Sequence, residues 1–282
     1  MKIKQRLTAQ AIHKRNFQCR LLIHNFQKIL NMSGSKKFSL ALILVTVTMG
    51  VFAQKFNLDQ FKNWKPRNIG PAGMSGRITA IDAVVADPNN IWVGAASGGV
   101  WKTNNAGGSW ESVFEEQPIL NIGSIAIQQS NPSTVWVGTG EGNPRNSVSL
   151  GEGIYKTIDG GKTWKRMGLE KTRNIHRVII DPTNPNTVYA GAIGNPYAEH
   201  PERGVFKTTD GGETWNKILF TNDTSGVGDM IMDPSNPNKL FVAMWQHRRT
   251  PWSLSSGGPG SGLYMTFDGG KNWKKLGAKE GL

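Results

Sequence analysis

The sequence predicts an all-β fold assembled from repeated four-stranded units, and three observations lead there. A motif of the form Thr-x-Asx-Gly/Ala-Gly-x-x-Trp occurs four times, with successive tryptophans 54, 51 and 58 residues apart. An Asx-Pro turn followed by an apolar run precedes each copy. The composition is rich in glycine (34) and tryptophan (10) and has few apolar stretches of helical period. Self-similarity near 50 residues with four strands per period is the signature of β-propeller blades. The prediction is a propeller of four-stranded blades, four of them present, forming an open part of a larger ring.

The first element is a leader. Residues 1–54 hold nine Lys/Arg, no Asp or Glu, and the single cysteine, Cys19. The rest of the chain therefore has 24 basic against 20 acidic side chains. The net charge of +13 is mostly a property of the leader, and no nucleic-acid partner is expected. Residues 39–53 are apolar and follow Lys36-Lys37, the pattern of a secretory signal peptide too short to span a bilayer comfortably. Residues 32–54 are read as that signal, starting at Met32, and 1–31 as a non-structural extension. The expected location is secreted, periplasmic or cell-surface, with no stable membrane insertion after cleavage.

Residues 55–76 are read as a linker with a ring-closing outer strand, because Lys62-Asn-Trp64 resembles the strands that follow the repeated motif. Blades are then expected at 77–116, 117–170, 171–222 and 223–282. Each begins with an apolar strand A such as Arg77-Ile-Thr-Ala-Ile, then an Asx-Pro turn and strand B. Strand B carries Trp92, Trp136, Tyr189 or Phe241, and strand C carries Trp101, Tyr155, Phe206 or Tyr264. The motif itself is the C–D turn. Its Asp (Asp159, Asp210, Asp268; Asn105 in the first copy) can accept backbone N–H groups, and glycine supplies positive φ. Its Trp (Trp110, Trp164, Trp215, Trp273) is expected to pack on the hairpin. These eight residues are read as structural.

The four copies are similar to the Asp-box, or BNR repeat, of sialidases, xyloglucanases and sortilin-type propellers. Over residues 62–282 the likeness extends to Arg67-Asn-Ile-Gly-Pro71, Gly98-Gly-Val-Trp-Lys-Thr103, Val137-Gly-Thr-Gly-Glu-Gly142, Glu202-Arg-Gly-Val-Phe-Lys207 and the glycine-rich run from Arg249 to Leu263. These segments resemble secreted bacterial proteins with a sortilin N-terminal-like propeller, often labelled glycosyl hydrolases. The resemblance implies a glycoside hydrolase if the chain is an enzyme, and C-terminal blades of the same protein as partners. The chain also departs from the enzymes. Ser97 stands where xyloglucanase propellers carry a catalytic Asp, and the sialidase Phe-Arg-Ile-Pro motif is reduced to Arg77-Ile78. The box specifies fold far better than function.

Antiparallel connectivity puts the A–B and C–D turns at one end of each blade and the B–C and D–A loops at the other. The strand B to strand C anchors lie 9, 19, 17 and 23 residues apart, so blades 2 to 4 carry long B–C loops on one face. Glu141 and Glu152 are the candidate carboxylate pair, since glycoside hydrolysis needs two. Candidate ligand-binding residues are Arg145, Tyr197, Glu199, His200, Arg203, Trp245, Arg248, Arg249 and Trp252. Aromatic faces suit sugar C–H surfaces and arginine forks suit carboxylates. Arg177 and Asp229 are expected as a channel-lining pair or a salt bridge. No pair among His176, His200 and His247 sits at ligand spacing, so neither a metal nor a cofactor is expected. Two functions compete: a propeller acting on or binding extracellular glycans, and a sortilin-like binder of peptides or proteins without catalysis. A structural scaffold is a third reading.

Overall fold

The computed structural model describes residues 33–34, 76–277 and 279. The extension, the signal segment and the linker with its outer strand lie outside the described residues, apart from Ser33, Gly34 and Gly76. The chain divides into two compact units, Met1–Arg67 and Asn68–Leu282. The strands among the described residues belong to the second, and among those residues no helix is long and apolar enough to cross a membrane.

Four antiparallel sheets follow one another along the chain. Blade 1 is β1 (Ile78–Val84), β2 (Asp87–Ala95), β3 (Gly99–Thr103) and β4 (Glu111–Ser112). Blade 2 is β5 (Ile122–Ile127), β6 (Val135–Thr139), β7 (Ile154–Thr157) and β8 (Lys165–Arg166). Blade 3 is β9 (Ile175–Ile180), β10 (Val188–Ala192), β11 (Gly204–Thr208) and β12 (Asn216–Leu219). Blade 4 is β13 (Ser225–Asp233), β14 (Asn236–Arg249), β16 (Gly262–Thr266) and β17 (Lys274–Lys275). A short β15 (Leu254–Ser256) pairs with the far end of β14, making a hairpin that runs on beyond the sheet.

First strands of successive blades lie against each other, β1 on β5, β5 on β9 and β9 on β13, which sets them on the inner side of the stack. Each carries one extra residue opposite its partner strand, at Thr79, Gly123, His176 and Gly228. A bulge at this point bends the strand and re-aims its side chains.

Every blade-to-blade interface repeats one construction. Strand B presents a fully buried aromatic, Trp92, Trp136 or Tyr189, to the next blade. The cross-strand partner is Lys102, Lys156 or Lys207. Each ammonium sits 4.8 to 5.1 Å above that ring and donates to the carbonyl of Gly160, Gly211 or Gly269 in the next blade's Asp-box. The box indoles of Trp164 and Trp215 pack edge-on against Trp92 and Trp136 and donate to the carbonyls of Val113 and Met167.

The end blades depart from this. In blade 4, Met265 opposes Phe241 where the others have lysine, and Ile231 and Phe267 are exposed. On the outward side of blade 1, Ile78, Ile81, Ile91, Val93, Ala95, Trp101 and Trp110 line an apolar cleft of about 500 Å³.

Candidate functional site

The three long loops, 140–153, 193–203 and 250–261, leave the same end of blades 2 to 4. Blade 2's loop is closed at its neck by Thr139, whose hydroxyl donates to Gly153 O (2.6 Å) and accepts the Glu152 amide (2.8 Å). Gly140 and Gly153 adopt φ of 85° and 86°, which a side chain would strain.

Glu141 is buried, 2% exposed, and its carboxylate takes both arms of Arg77 from the start of β1. Its own carbonyl accepts Asn174 Nδ2 at 2.6 Å. One residue thus joins blades 1, 2 and 3. Glu152 instead pairs at 3.5 Å with Arg166, on the outermost strand of its own blade, and Arg166 also meets Glu170. The two carboxylates expected as a pair therefore answer to different arginines on opposite sides of blade 2. Beside them, Gly142 lies against the His176 ring: a Cβ there would come within 1.8 Å of Nδ1. The bulge at His176 turns that ring into the loop neck, and burial, then the neighbouring Arg177 charge, pushes its pKa down to about 4. Arg177 and Asp229 form an ion pair of 2.6 Å between β9 and β13.

Blades 2 and 3 are then bridged by Tyr197. Its hydroxyl accepts the Val148 amide at 2.6 Å and lies within 3.3 Å of the Arg145 and Val148 carbonyls. Blades 3 and 4 are bridged by the Arg249 amide, which donates to Pro196 O (2.8 Å), and by the His200 amide, which donates to Asp223 O (2.9 Å). The three loops form one continuous roof.

Arg203 was expected at the ligand face but is 0% exposed beneath it. Its guanidinium donates to the carbonyls of Asn195 (2.6 Å), Thr224 (3.0 Å) and Ala198 (3.2 Å) and stands 3.4 Å from His247 Nδ1. Among the described residues no carboxylate pairs with it, and burial, then the Arg248 charge, lowers its pKa to about 10. Gly194 makes room, since a Cβ there would meet Arg203 Cγ at 2.4 Å. His247 is buried above it, with its pKa pushed down to about 4 by burial and then by Arg203. The Trp245 ring stacks on His247 with centroids 4.6 Å apart, and its Nε1 donates to Ser256 Oγ (3.0 Å). His200 is half-buried, and burial followed by the Arg203 charge lowers its pKa.

Of the expected ligand residues, Arg145, Glu199, Arg248 and Trp252 are exposed on the roof, while Tyr197, Trp245 and Arg249 are half-buried in it. The Arg77–Glu141 clamp is a feature that sequence reading missed. Its partners are 64 residues apart, and nothing in either segment marks the other. No group of three or more His, Cys, Asp or Glu suited to hold a metal occurs among the described residues.

The profile of the Sortilin-Vps10 family (sortilin, neurotensin receptor 3) matches residues 152–280. A xyloglucanase from a Paenibacillus species is 25% identical over 254 residues, 77% of this chain and 23% of its own. A probable oligoxyloglucan-reducing end-specific xyloglucanase of Neosartorya fischeri is 23% identical over 71% of this chain and 24% of its own. In structure, an ancestral GH74 enzyme superposes with a TM-score of 0.56 at 22% identity, over 73% of this chain and 26% of that one. The chain spans about a quarter of the length of these relatives. Fold and likeness together make it a β-propeller-type stack of four-stranded Asp-box blades, similar to sortilin-type and xyloglucanase propellers.

Proposed function

We propose that the chain binds extracellular glycans of the xyloglucan class on the roof formed by its B–C loops. The observation that carries this reading is the roof itself: three loops from three blades, hydrogen-bonded into one surface that exposes Arg145, Arg248 and Trp252, on a propeller similar to xyloglucanases. Loops held on a rigid scaffold are where such folds place recognition. Calorimetric titration with xyloglucan oligosaccharides, alongside reducing-sugar release from xyloglucan, tests it. Binding supports the reading, and its absence across a panel of β-glucans rejects it.

For hydrolysis, Glu141 and Glu152 stay the proposed carboxylates. Turnover abolished by Glu152→Gln with folding intact supports a chemical role. Glu141→Gln is expected to act on stability as well, because it unbalances the clamp with Arg77. The second reading is a sortilin-like binder of peptides, favoured by the family profile over residues 152–280. It predicts a protein ligand retained by both glutamine variants.

The basic and apolar leader places the protein outside the cytoplasm in this proposal. Further blades of the same type are proposed to cover the apolar end faces, where Trp110 is 43% and Phe267 61% exposed.

A further inference from the structure

We infer that the tip of the β14–β15 hairpin is a sugar-stacking subsite, with the Trp252 indole as its platform. This rests on the glycan reading and names the residue that grips the ring. Trp252 is 86% exposed, more than any other large apolar side chain among the described residues. It is also held in place. The hairpin pairs Arg249 with Leu254, Arg248 with Ser255 and His247 with Ser256. At the turn, Thr250 N donates to Ser253 O (2.9 Å), Ser253 N donates to Thr250 Oγ1 (3.0 Å), and the two hydroxyls lie 2.7 Å apart. Pro251 restricts the backbone next to the tryptophan. The Trp245 to Ser256 bond ties the second strand of the hairpin back to the blade, and the Arg249 amide ties the first to the blade 3 loop.

An indole on a rigid turn loses little conformational freedom when a ligand covers it. Its surroundings decide what it covers. Ser253, Ser255, Ser256, Gly257 and Gly258 flank it, with Pro251 and Leu254, the latter 43% exposed, as apolar neighbours in the hairpin. The tip thus offers one flat indole face among small polar side chains, the form of a platform for a single pyranose ring. Exposed Arg248 supplies hydrogen-bond donors for ring hydroxyls, again within the hairpin.

The test is calorimetric titration of the full chain with xyloglucan heptasaccharide and with cellohexaose, for wild type, Trp252→Ala and Trp252→Phe. The expected result is a loss of affinity of about tenfold or more for Trp252→Ala, with most affinity kept by Trp252→Phe. The thermal midpoint of both variants should stay at the wild-type value, because the side chain buries little in the fold. Equal affinity of wild type and Trp252→Ala overturns the subsite and leaves the glycan reading standing. A wild type that binds neither sugar overturns the glycan reading, and the subsite with it. Unchanged sugar binding by Trp252→Ala with loss of a peptide ligand assigns the tip to protein recognition and likewise overturns the proposal.

Discussion

The Asp-box turns and the B–C loops occupy opposite ends of the same four sheets, yet they satisfy their polar groups in different ways. At the box end the solution is local and repeated. The Thr hydroxyl donates to the Asx side chain at 2.6 to 2.8 Å, and accepts the amide of the second small residue at 2.9 to 3.0 Å. The box backbone then reaches the A–B turn of its own blade, as in Gly160 N to Ser133 O and Gly211 N to Asn186 O. At the loop end each solution is unique and crosses between blades: Glu141 to Arg77, Tyr197 to Val148, Arg203 to three carbonyls. Buried polar atoms without partners are more numerous there, among them Asn174 Oδ1, His176 Nδ1, Arg203 Nε, Ser225 Oγ and His247 Nε2, against Trp136 Nε1 and Trp273 Nε1 on the box side. The lesson is that one end is built for reproducibility, and the other tolerates the unsatisfied groups that binding surfaces often carry.

The sharpest way to break the contrast is to cut the largest strut of the loop end. Arg203→Met keeps much of the volume and removes the guanidinium donor from the carbonyls of Asn195, Ala198 and Thr224. The three carbonyls are part-buried, and Thr224 O keeps the His247 amide at 3.1 Å, so the loss of the charged donor should cost about 2 to 3 kcal/mol. Urea unfolding measures it, and a loss below about 1 kcal/mol would show that these carbonyls are satisfied in another way.

Acid should separate the two ends next. His176 and His247 are 8% and 2% exposed and stay neutral in the fold, with pKa values near 4 against an ordinary 6.5. The unfolded chain therefore binds more protons between those values. Stability is complete above about pH 6.5 and falls as pH drops toward 4, by at most roughly 3 kcal/mol for each ring. The box carboxylates act with the same sign but in a lower range of pH. Asp159, Asp210 and Asp268 are held well below the ordinary 3.8, through bonds led respectively by the Thr163 hydroxyl, the Thr208 hydroxyl and the Asn272 amide. Their contribution is present above about pH 4 and lost only beneath it. Hydrogen exchange near pH 5 should thus show the loops at 140–153 and 193–203 opening while the box amides of Gly161, Gly212 and Gly270 stay protected. Uniform loosening at that pH rejects the division.

How much of this was legible beforehand follows the same divide. The box end could be read because its bonds lie within eight residues, so Thr103 and Asn105, or Thr266 and Asp268, announce each other in the sequence. The period of the repeats then gave the sheets. The loop end could only be delimited. Arg203 reads like a surface arginine until Gly194 and the Thr224 carbonyl, from another blade, close around it. The bulges at Thr79, Gly123, His176 and Gly228 carry no common residue type, so their alignment is visible only in the strand register. Trp252 was legible as an aromatic in a long loop, whereas the rigidity of its turn needed the Thr250–Ser253 bonds.

The smallest expected effect sharpens the reading of the box. The first copy has Asn105 and Ala106 where the others have Asp and Gly, and Ala106 sits at φ 55° where Gly160, Gly211 and Gly269 sit at 70° to 73°. Asn105 reproduces the acceptor bonds, taking the Thr103 hydroxyl at 2.8 Å and the Ser109 amide at 2.9 Å. Its Nδ2 then donates to Ser109 Oγ, so the hydroxyl that donates to the carboxylate in copies 2 and 3 turns acceptor in copy 1. The blade therefore needs an acceptor oxygen at this position and not a charge. Asp210→Asn should leave the unfolding midpoint near wild type at neutral pH and reduce the acid sensitivity below about pH 4. Asp210→Ala should lower the midpoint at every pH, because Thr208 Oγ1 and the Thr214 amide lose their acceptor together. Equal midpoints for the two variants at neutral pH would show that the oxygen contributes nothing beyond the glycines, and that the turn is specified by backbone conformation alone.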